Sequence, residues 1–133
     1  MNNLVIGSSG KIGFYYYQRT KLKNNIYISR KKDVKKKFLK FNFKKENFLN
    51  FLKKKKISKV IIFTAISDPL KCVVNKKESY QINIVLIKKL IDILIKEEIY
   101  FIFFSSEFVF FGKDKVLYKE KFILNSLMFY GKQ

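Results

Sequence analysis

The chain has 133 residues, with 29 Lys and Arg against 10 Asp and Glu, which gives a formal net charge of +19 at pH 7. A 48% hydrophobic content, with 15 Phe and 8 Tyr, excludes a disordered tail, because a solvated chain carries far less apolar surface. One Cys and no His exclude a disulfide framework, His-based triads and most zinc sites, so we expect no metal.

Strands and helices alternate along the chain in a way that predicts an α/β protein. In chain order the predicted elements are a strand at Asn3–Ile6, a helix at Ile12–Leu22, strands at Asn25–Ser29 and Phe38–Phe43, a helix at Glu46–Lys56, a buried strand at Val60–Phe63, a helix at Glu78–Glu97 and an apolar core strand at Tyr100–Phe104. We therefore predict a Rossmann-like, doubly wound parallel sheet of about five strands, formed by residues 1–133 as one domain.

Three of the five glycines form a G-x-x-G-x-x-G turn between the first strand and the first helix. A dinucleotide pyrophosphate needs a tight turn there, a bare backbone and the free N–H groups of a helix start. The turn therefore predicts an NAD(P) site, with ordinary turn glycines as the alternative. The turn residues expected at the cofactor are Gly7, Ser9, Gly10, Lys11, Ile12 and Gly13.

The end of the second strand bears on the choice of cofactor. Ser29 is followed by Arg30, and an arginine at this place favours the 2′-phosphate of NADP. Asp33 follows in the same loop and is an alternative ligand, for the ribose hydroxyls of NAD. NADP is the prediction, and NAD stays open.

Two later stretches carry a narrower pattern. Residues 63–69 read Phe-Thr-Ala-Ile-Ser-Asp-Pro and precede Cys72, Glu78 and Asn83. Residues 105–112 read Ser-Ser-Glu-Phe-Val-Phe-Phe-Gly and precede Tyr118, Glu120 and Tyr130-Gly131-Lys132. With the glycine turn, these stretches resemble the extended short-chain dehydrogenases/reductases over nearly the whole chain. More closely, the chain is similar to the dTDP-4-dehydrorhamnose reductase family, whose motif S-T-D-Y-V-F-D-G the second stretch resembles.

The resemblance implies roles for individual residues. Ser106 would hydrogen-bond the substrate carbonyl, and Tyr130 would donate a proton to that oxygen as hydride arrives. A phenol with a pKa near 10 needs a neighbouring cation for this task. The family's lysine would fall at position 134, and Lys132 is not an obvious substitute. The remaining cofactor contacts expected are Ser29, Arg30, Asn42, Phe43, Thr64, Ala65, Ile66 and Asn83.

Several residues have plainer interpretations that stay open beside these roles. Ser105 and Ser106 are alternatively polar residues at a strand end. Asn83 is alternatively a helix-start residue. We interpret Cys72 as a thiol without a redox role.

The implied reaction is NADPH-dependent reduction of a 4-keto nucleotide sugar, in the synthesis of rhamnose or a related surface polysaccharide. The chain stops before the family's later strands and substrate lobe, so we expect a C-terminally incomplete domain that is inactive or nearly so alone. We also expect a homo-oligomer or a partner chain to cover the exposed apolar edge of the last strand. A non-catalytic NADP-binding regulatory subunit is the alternative function.

The positive charge is dispersed lysine, since Arg19 and Arg30 are the two arginines of the chain. Specific phosphate and base recognition relies on arginine, so we attribute the charge chiefly to an AT-rich gene and do not expect nucleic acid as a partner. A lysine-rich polyanion-binding protein is the weaker alternative. The longest apolar run, Ile99–Phe104, is far below the roughly 20 residues of a membrane span. With no basic leader before the first strand, we expect no membrane association and a cytoplasmic location.

Overall fold

The computed structural model describes residues 1–20, 22–30, 38–43, 46–110, 117–119 and 121–133. Four residues named from the sequence lie outside the described residues: Asp33, Phe111, Gly112 and Glu120.

Five parallel strands form one sheet in the order β3-β2-β1-β4-β5. They are β1 (Asn2–Ile6), β2 (Asn25–Ser29), β3 (Leu39–Lys40), β4 (Ile57–Ile62) and β5 (Tyr100–Phe103). The order changes direction between β1 and β4, and doubly wound sheets bind ligands at the carboxyl ends of the strands at such a point. The predicted Rossmann-like parallel sheet is confirmed.

The three predicted helices are present, but the one predicted at Glu78–Glu97 is divided by a π-helix, and three further short helices occur among the described residues. They are α1 (Lys11–Thr20), α2 (Phe48–Lys54), α3 (Pro69–Val74), α4 (Lys76–Tyr80), a π-helix (Gln81–Leu86), α5 (Ile87–Lys96) and two 3₁₀ helices (Glu107–Val109 and Tyr130–Lys132). The apolar pattern of the sequence does not indicate α3. Its start is well capped, because a carboxylate oxygen of Asp68 accepts from the backbone N–H groups of Leu70 at 3.0 Å and Lys71 at 3.2 Å.

The central strands bury both of their faces. Leu4 and Ile6 of β1 pack on one face in a cluster with Leu90 and Leu94 of α5. Val5, between them, packs on the other face with Tyr27 and aromatic residues of α1. Alternate residues of a strand point to opposite faces, so the continuous apolar run of β1 fits a sheet covered on both sides.

The last strand is less buried than expected. Tyr100 is 62% exposed and Phe103 is 43% exposed, so the prediction of a core strand is wrong for these two side chains. The physical reason is the position of β5 at the end of the strand order, where β4 is its neighbour in the sheet. This position agrees with the separate expectation that the apolar edge of the last strand is exposed. A partner chain that covers the edge stays a prediction.

The chain divides into two compact units. The first, Met1–Thr64 with Leu86–Phe103, contains the sheet, and the second comprises Ala65–Val85 with Phe104–Gln133. The single domain over residues 1–133 stays a prediction. Among the helices that the structure describes, none has the length and apolar character needed to cross a bilayer. Across the same residues, no cluster of three or more metal-ligating side chains occurs.

Candidate functional site

The glycine turn after β1 comes into close contact with the end of β4. Gly7 has a φ of +86°, a backbone conformation that L side chains rarely adopt. A Cβ on Gly7 would also lie 2.8 Å from both the backbone nitrogen and Oγ1 of Thr64. The turn therefore requires glycine for two reasons. It lies at the carboxyl end of β1, where the strand order changes direction between β1 and β4.

The same turn starts helix α1. The N–H of Gly10 donates to Gly7 O at 3.0 Å, and the N–H of Phe14 donates to Gly10 O at 2.8 Å. A Cβ on Gly13 would lie 3.0 Å from the carbonyl carbon of Gly7 and would collide with its oxygen. A bare backbone is therefore needed for the helix to pack against the turn, as in a pyrophosphate-binding turn.

The start of α1 is suited to an anion. The N–H groups of a first helical turn have no intrahelical acceptor, and here they belong to Lys11, Ile12 and Gly13. The first turn contains no acidic residue, so no side chain there opposes the positive end of the helix dipole. Ser9 and Gly10 precede it and are exposed. The residues present thus fit a dinucleotide diphosphate.

The predicted ribose-binding residues lie at the end of the neighbouring strand. The N–H of Ser8 donates to Ile28 O at 3.2 Å, which joins the glycine turn to β2. Ser29 is buried, whereas Arg30, immediately after the strand, is exposed. The Arg30 guanidinium can therefore reach a phosphate in solvent.

Asn42 and Phe43 follow β3. The N–H of Asn42 donates to a carboxylate oxygen of Glu46 at 2.6 Å. The Phe43 ring packs edge-on against Phe41, with centroids 4.7 Å apart, and is half-buried. Phe43 therefore has a packing role in the core, and its predicted cofactor contact stays a prediction.

In the second unit, Asn83 holds the segment that follows β4. Its Oδ1 accepts from the N–H of Ile66 at 2.8 Å, and its Nδ2 donates to Ile66 O at 3.0 Å. Asn83 lies within the π-helix rather than at a helix start. It thus fixes the backbone of a predicted cofactor-binding residue, beside the exposed Ala65.

Ser106 caps the first 3₁₀ helix of the second unit. Its Oγ accepts from the N–H of Phe108 at 3.3 Å. A hydroxyl has one proton to donate and two lone pairs, so this bond leaves the proton for an external acceptor. Ser106 can therefore donate to a carbonyl, as the resemblance implies.

Tyr130 begins the second 3₁₀ helix, which packs against the first. The Tyr130 ring contacts Phe108 edge-on, with centroids 5.7 Å apart. A Cβ on Gly131 would lie 2.7 Å from the carbonyl carbon of Phe108. Glycine after Tyr130 therefore allows the close approach of the segments that carry the two predicted catalytic residues.

Two lysines are candidates for a cation near Tyr130: Lys132 is close in sequence, and Lys76 contacts the neighbouring Phe129. Lys132 is exposed and lies two residues beyond Tyr130 in a helix of three residues per turn, so the two side chains diverge. The ammonium of Lys76 lies over the Phe129 ring, 5.6 Å from its centroid.

Cys72 is buried and structural. Its Sγ donates to Ile66 O at 3.1 Å. Burial raises the pKa of the thiol above its ordinary value of 9.0, and the negative charge of Asp68 adds to this, while hydrogen bonds from Ser79 and Asn83 act in the opposite direction. A neutral thiol in this position supports the interpretation without a redox role.

One polar contact of the second unit is not evident from the sequence. The Gln133 side chain bridges Asn83 and Ser79. Nothing in the spacing of the motifs indicates this contact, because it joins residues about 50 positions apart.

Comparisons with known proteins agree with this fold. The family model described as the RmlD substrate binding domain matches residues 1–133. A solved hypothetical dTDP-4-dehydrorhamnose reductase from Sulfolobus tokodaii is 25% identical with a TM-score of 0.84, and the match covers 99% of this chain and 48% of that chain. No curated protein matches the chain significantly in sequence.

Two further solved structures share the fold. A dTDP-4-dehydrorhamnose reductase from Clostridium acetobutylicum is 23% identical with a TM-score of 0.76, over 99% of this chain and 45% of that chain. MoeE5, solved in complex with UDP-glucose and NAD, is 20% identical with a TM-score of 0.85, over 99% of this chain and 45% of that chain. The chain spans about half the length of these three relatives. Because the family model covers the whole chain and the predicted resemblance is confirmed, the chain belongs to the RmlD substrate binding domain family.

Proposed function

We propose that this chain supplies the NADPH-binding half of a sugar-nucleotide reductase that reduces a 4-keto group on a nucleotide-linked deoxysugar. The observation that carries the proposal is the contact between Gly7 and Thr64, which leaves a bare backbone at the point where the sheet changes direction. The start of α1, whose first turn contains no acidic residue, follows the same turn. Rhamnose or surface-polysaccharide synthesis in the cytoplasm is the setting that we propose.

The cofactor contacts follow from the position of each segment. The N–H groups of Lys11, Ile12 and Gly13 would hold the diphosphate, with Ser9 and Gly10 beside it. Arg30 would pair with the 2′-phosphate of NADP, and Ser29 would contact the same ribose. The neighbouring residues Asn42 and Phe43 would contact adenine. The segment after β4 would contact the rest of the cofactor through Thr64, Ala65 and Ile66.

Two residues of the second unit would act on the substrate carbonyl. NADPH, when bound, supplies the hydride. The free proton of the Ser106 hydroxyl would hydrogen-bond the carbonyl oxygen, and the Tyr130 phenol would then donate its proton to that oxygen. MoeE5 was solved with a UDP-sugar and NAD, which supports a nucleotide sugar as the substrate class and leaves NAD as the alternative cofactor.

An assay of NADPH oxidation with a nucleotide-linked 4-keto sugar tests the reaction. We expect any turnover to fall by about 10²-fold or more in Tyr130→Phe, while the affinity for NADPH stays within about twofold. Turnover that survives Tyr130→Phe would contradict the role of this residue. Because we expect this chain alone to be inactive or nearly so, NADPH binding without turnover agrees with a cofactor-binding half and equally with a regulatory subunit.

A further inference from the structure

The Gln133 side chain joins two parts of the second unit through both ends of its amide. Its Oε1 accepts from Nδ2 of Asn83 at 2.9 Å, and its Nε2 donates to Oγ of Ser79 at 2.9 Å. Its backbone N–H donates to Tyr130 O at 3.1 Å. Gln133 is therefore bonded at once to the helix that carries Tyr130 and to two residues of the other segment of the unit.

Both partners of this amide are themselves fixed. Asn83 uses its Oδ1 and its Nδ2 to hold the backbone of Ile66. Ser79 is fully buried, and its hydroxyl has Lys76 O at 3.1 Å and Cys72 O at 3.3 Å as acceptors for its single proton. Ser79 Oγ can therefore accept the Gln133 N–H, and the whole chain of donors and acceptors is satisfied.

The side-chain chemistry of position 133 matches these two partners. Asn83 presents an N–H group and needs an acceptor, whereas the committed proton of Ser79 leaves an oxygen that needs a donor. A glutamine amide provides one of each at opposite ends, and a lysine or an aliphatic residue cannot. Ser79 is fully buried, and its hydrogen bond to Gln133 and that of Asn83 are partly buried, so loss of these partners costs free energy and the bridge favours one position of the 3₁₀ helix.

We propose that Gln133 is a positioning residue for Tyr130. It acts through its hydrogen bonds to Asn83 and Ser79. Because Asn83 also holds the backbone of Ile66, the bridge links the position of the Tyr130 helix to a residue that the proposed function places at the cofactor. The proposal rests on the proposed function for the role of Tyr130, but the link itself exists without a ligand.

The test uses the ligand-free chain and three variants. Gln133→Met keeps the length and loses both hydrogen bonds. Gln133→Glu keeps an acceptor for Asn83 but offers no donor to Ser79, so it should restore only half of the bridge. Gln81→Met makes the same change at an exposed glutamine of the same unit and is the matched control.

Two nuclear magnetic resonance measurements read the result. We expect Gln133→Met to weaken the cross-peaks between the rings of Tyr130 and Phe108 at least about twofold. We also expect it to speed hydrogen exchange at the Ile66 amide about fivefold, as loss of a typical hydrogen bond does. Gln133→Glu should recover part of both effects, and Gln81→Met should show neither.

A double-mutant cycle with Ser79→Ala separates positioning from general loss of stability. Partners in one bridge should give a combined change in Ile66 exchange smaller than the product of the single changes. Multiplicative changes, or Tyr130 cross-peaks that survive Gln133→Met, would overturn the proposal. Because these readouts need no nucleotide, they stand even if NADPH does not bind, whereas absence of NADPH binding alone would overturn only the proposed function.

Discussion

A Cβ placed on Gly7 would lie 2.8 Å from the backbone nitrogen of Thr64, so the turn after β1 and the end of β4 meet at a distance that no side chain can enter. This contact joins the two central strands at the point where the sheet changes direction. Gly7 therefore serves both the fold and the proposed cofactor site.

Replacement of Gly7 by alanine should lower the free energy of unfolding by about 2–4 kcal/mol, because the Cβ clashes and φ is positive. Gly10→Ala is the matched control. Its Cβ would meet Gly7 O at 3.4 Å, in ordinary contact, and we expect a loss below about 1 kcal/mol. Urea unfolding of both variants measures the difference, and equal losses would mean that the turn tolerates a side chain at Gly7.

Replacement of Arg30 by alanine should weaken NADPH binding about tenfold or more and leave NADH binding within about twofold, because a charge-assisted bond to the 2′-phosphate is lost. Arg19→Ala removes the same charge from α1, where the guanidinium lies over the Tyr15 ring at 5.2 Å. Calorimetric titration of both variants with both nucleotides makes the comparison. Equal loss of NADPH and NADH affinity in Arg30→Ala would argue against a 2′-phosphate contact.

Replacement of Asn83 by alanine should cost about 2–4 kcal/mol, because it leaves the N–H and C=O of Ile66 without their partners. Asn75 is a matched control in the same unit, since it is exposed and its side chain makes no capping hydrogen bond. We expect Asn75→Ala to change the unfolding free energy by less than about 0.5 kcal/mol. A similar cost at both positions would remove the special role of Asn83.

The stability of the fold should depend on the buried thiol at alkaline pH. The folded state raises the pKa of Cys72 above 9.0, so it favours the neutral thiol over the thiolate. This contribution is fully present below the unfolded pKa and is lost as the pH rises through the folded pKa. Between about pH 8 and about pH 10, the unfolding free energy of the wild type should therefore fall more steeply than that of Cys72→Ala. Parallel slopes would show that the thiol does not titrate differently in the two states.

The sequence predicts the sheet well because its central strands have clear signals. The apolar run of β1 and the alternation of β2 define both strands to within a residue of their observed bounds. The glycine turn is equally legible, since three of five glycines fall in seven residues. Helix α3 has no clear apolar periodicity, although Asp68-Pro69 is an ordinary helix start in which the Asp68 side chain caps the first turn.

Features that depend on tertiary contacts could not be derived in this way. The exposure of Tyr100 depends on which strand ends the sheet, and an apolar run does not show this. The Gln133 bridge depends on amide groups far apart in the chain. The resemblance to the reductases implies Ser106 and Tyr130 as candidates, and the packing of Gly131 on Phe108 explains how their segments meet.

The most direct test of the proposed function is an NADPH titration of the wild type and of Ser9→Asp. Ser9 is exposed beside the start of α1, where an added carboxylate should stabilise the helix slightly but repel a diphosphate. Gln18→Glu makes the same charge change at an exposed position late in α1 and is the control.

We predict saturable binding by the wild type and by Gln18→Glu, and at least a tenfold weaker affinity in Ser9→Asp, on the order of one lost charge-assisted contact. The melting temperature of Ser9→Asp should not fall. A folded wild type that does not bind NADPH, or a Ser9→Asp variant that binds it as tightly as the wild type, would contradict a diphosphate site at the glycine turn.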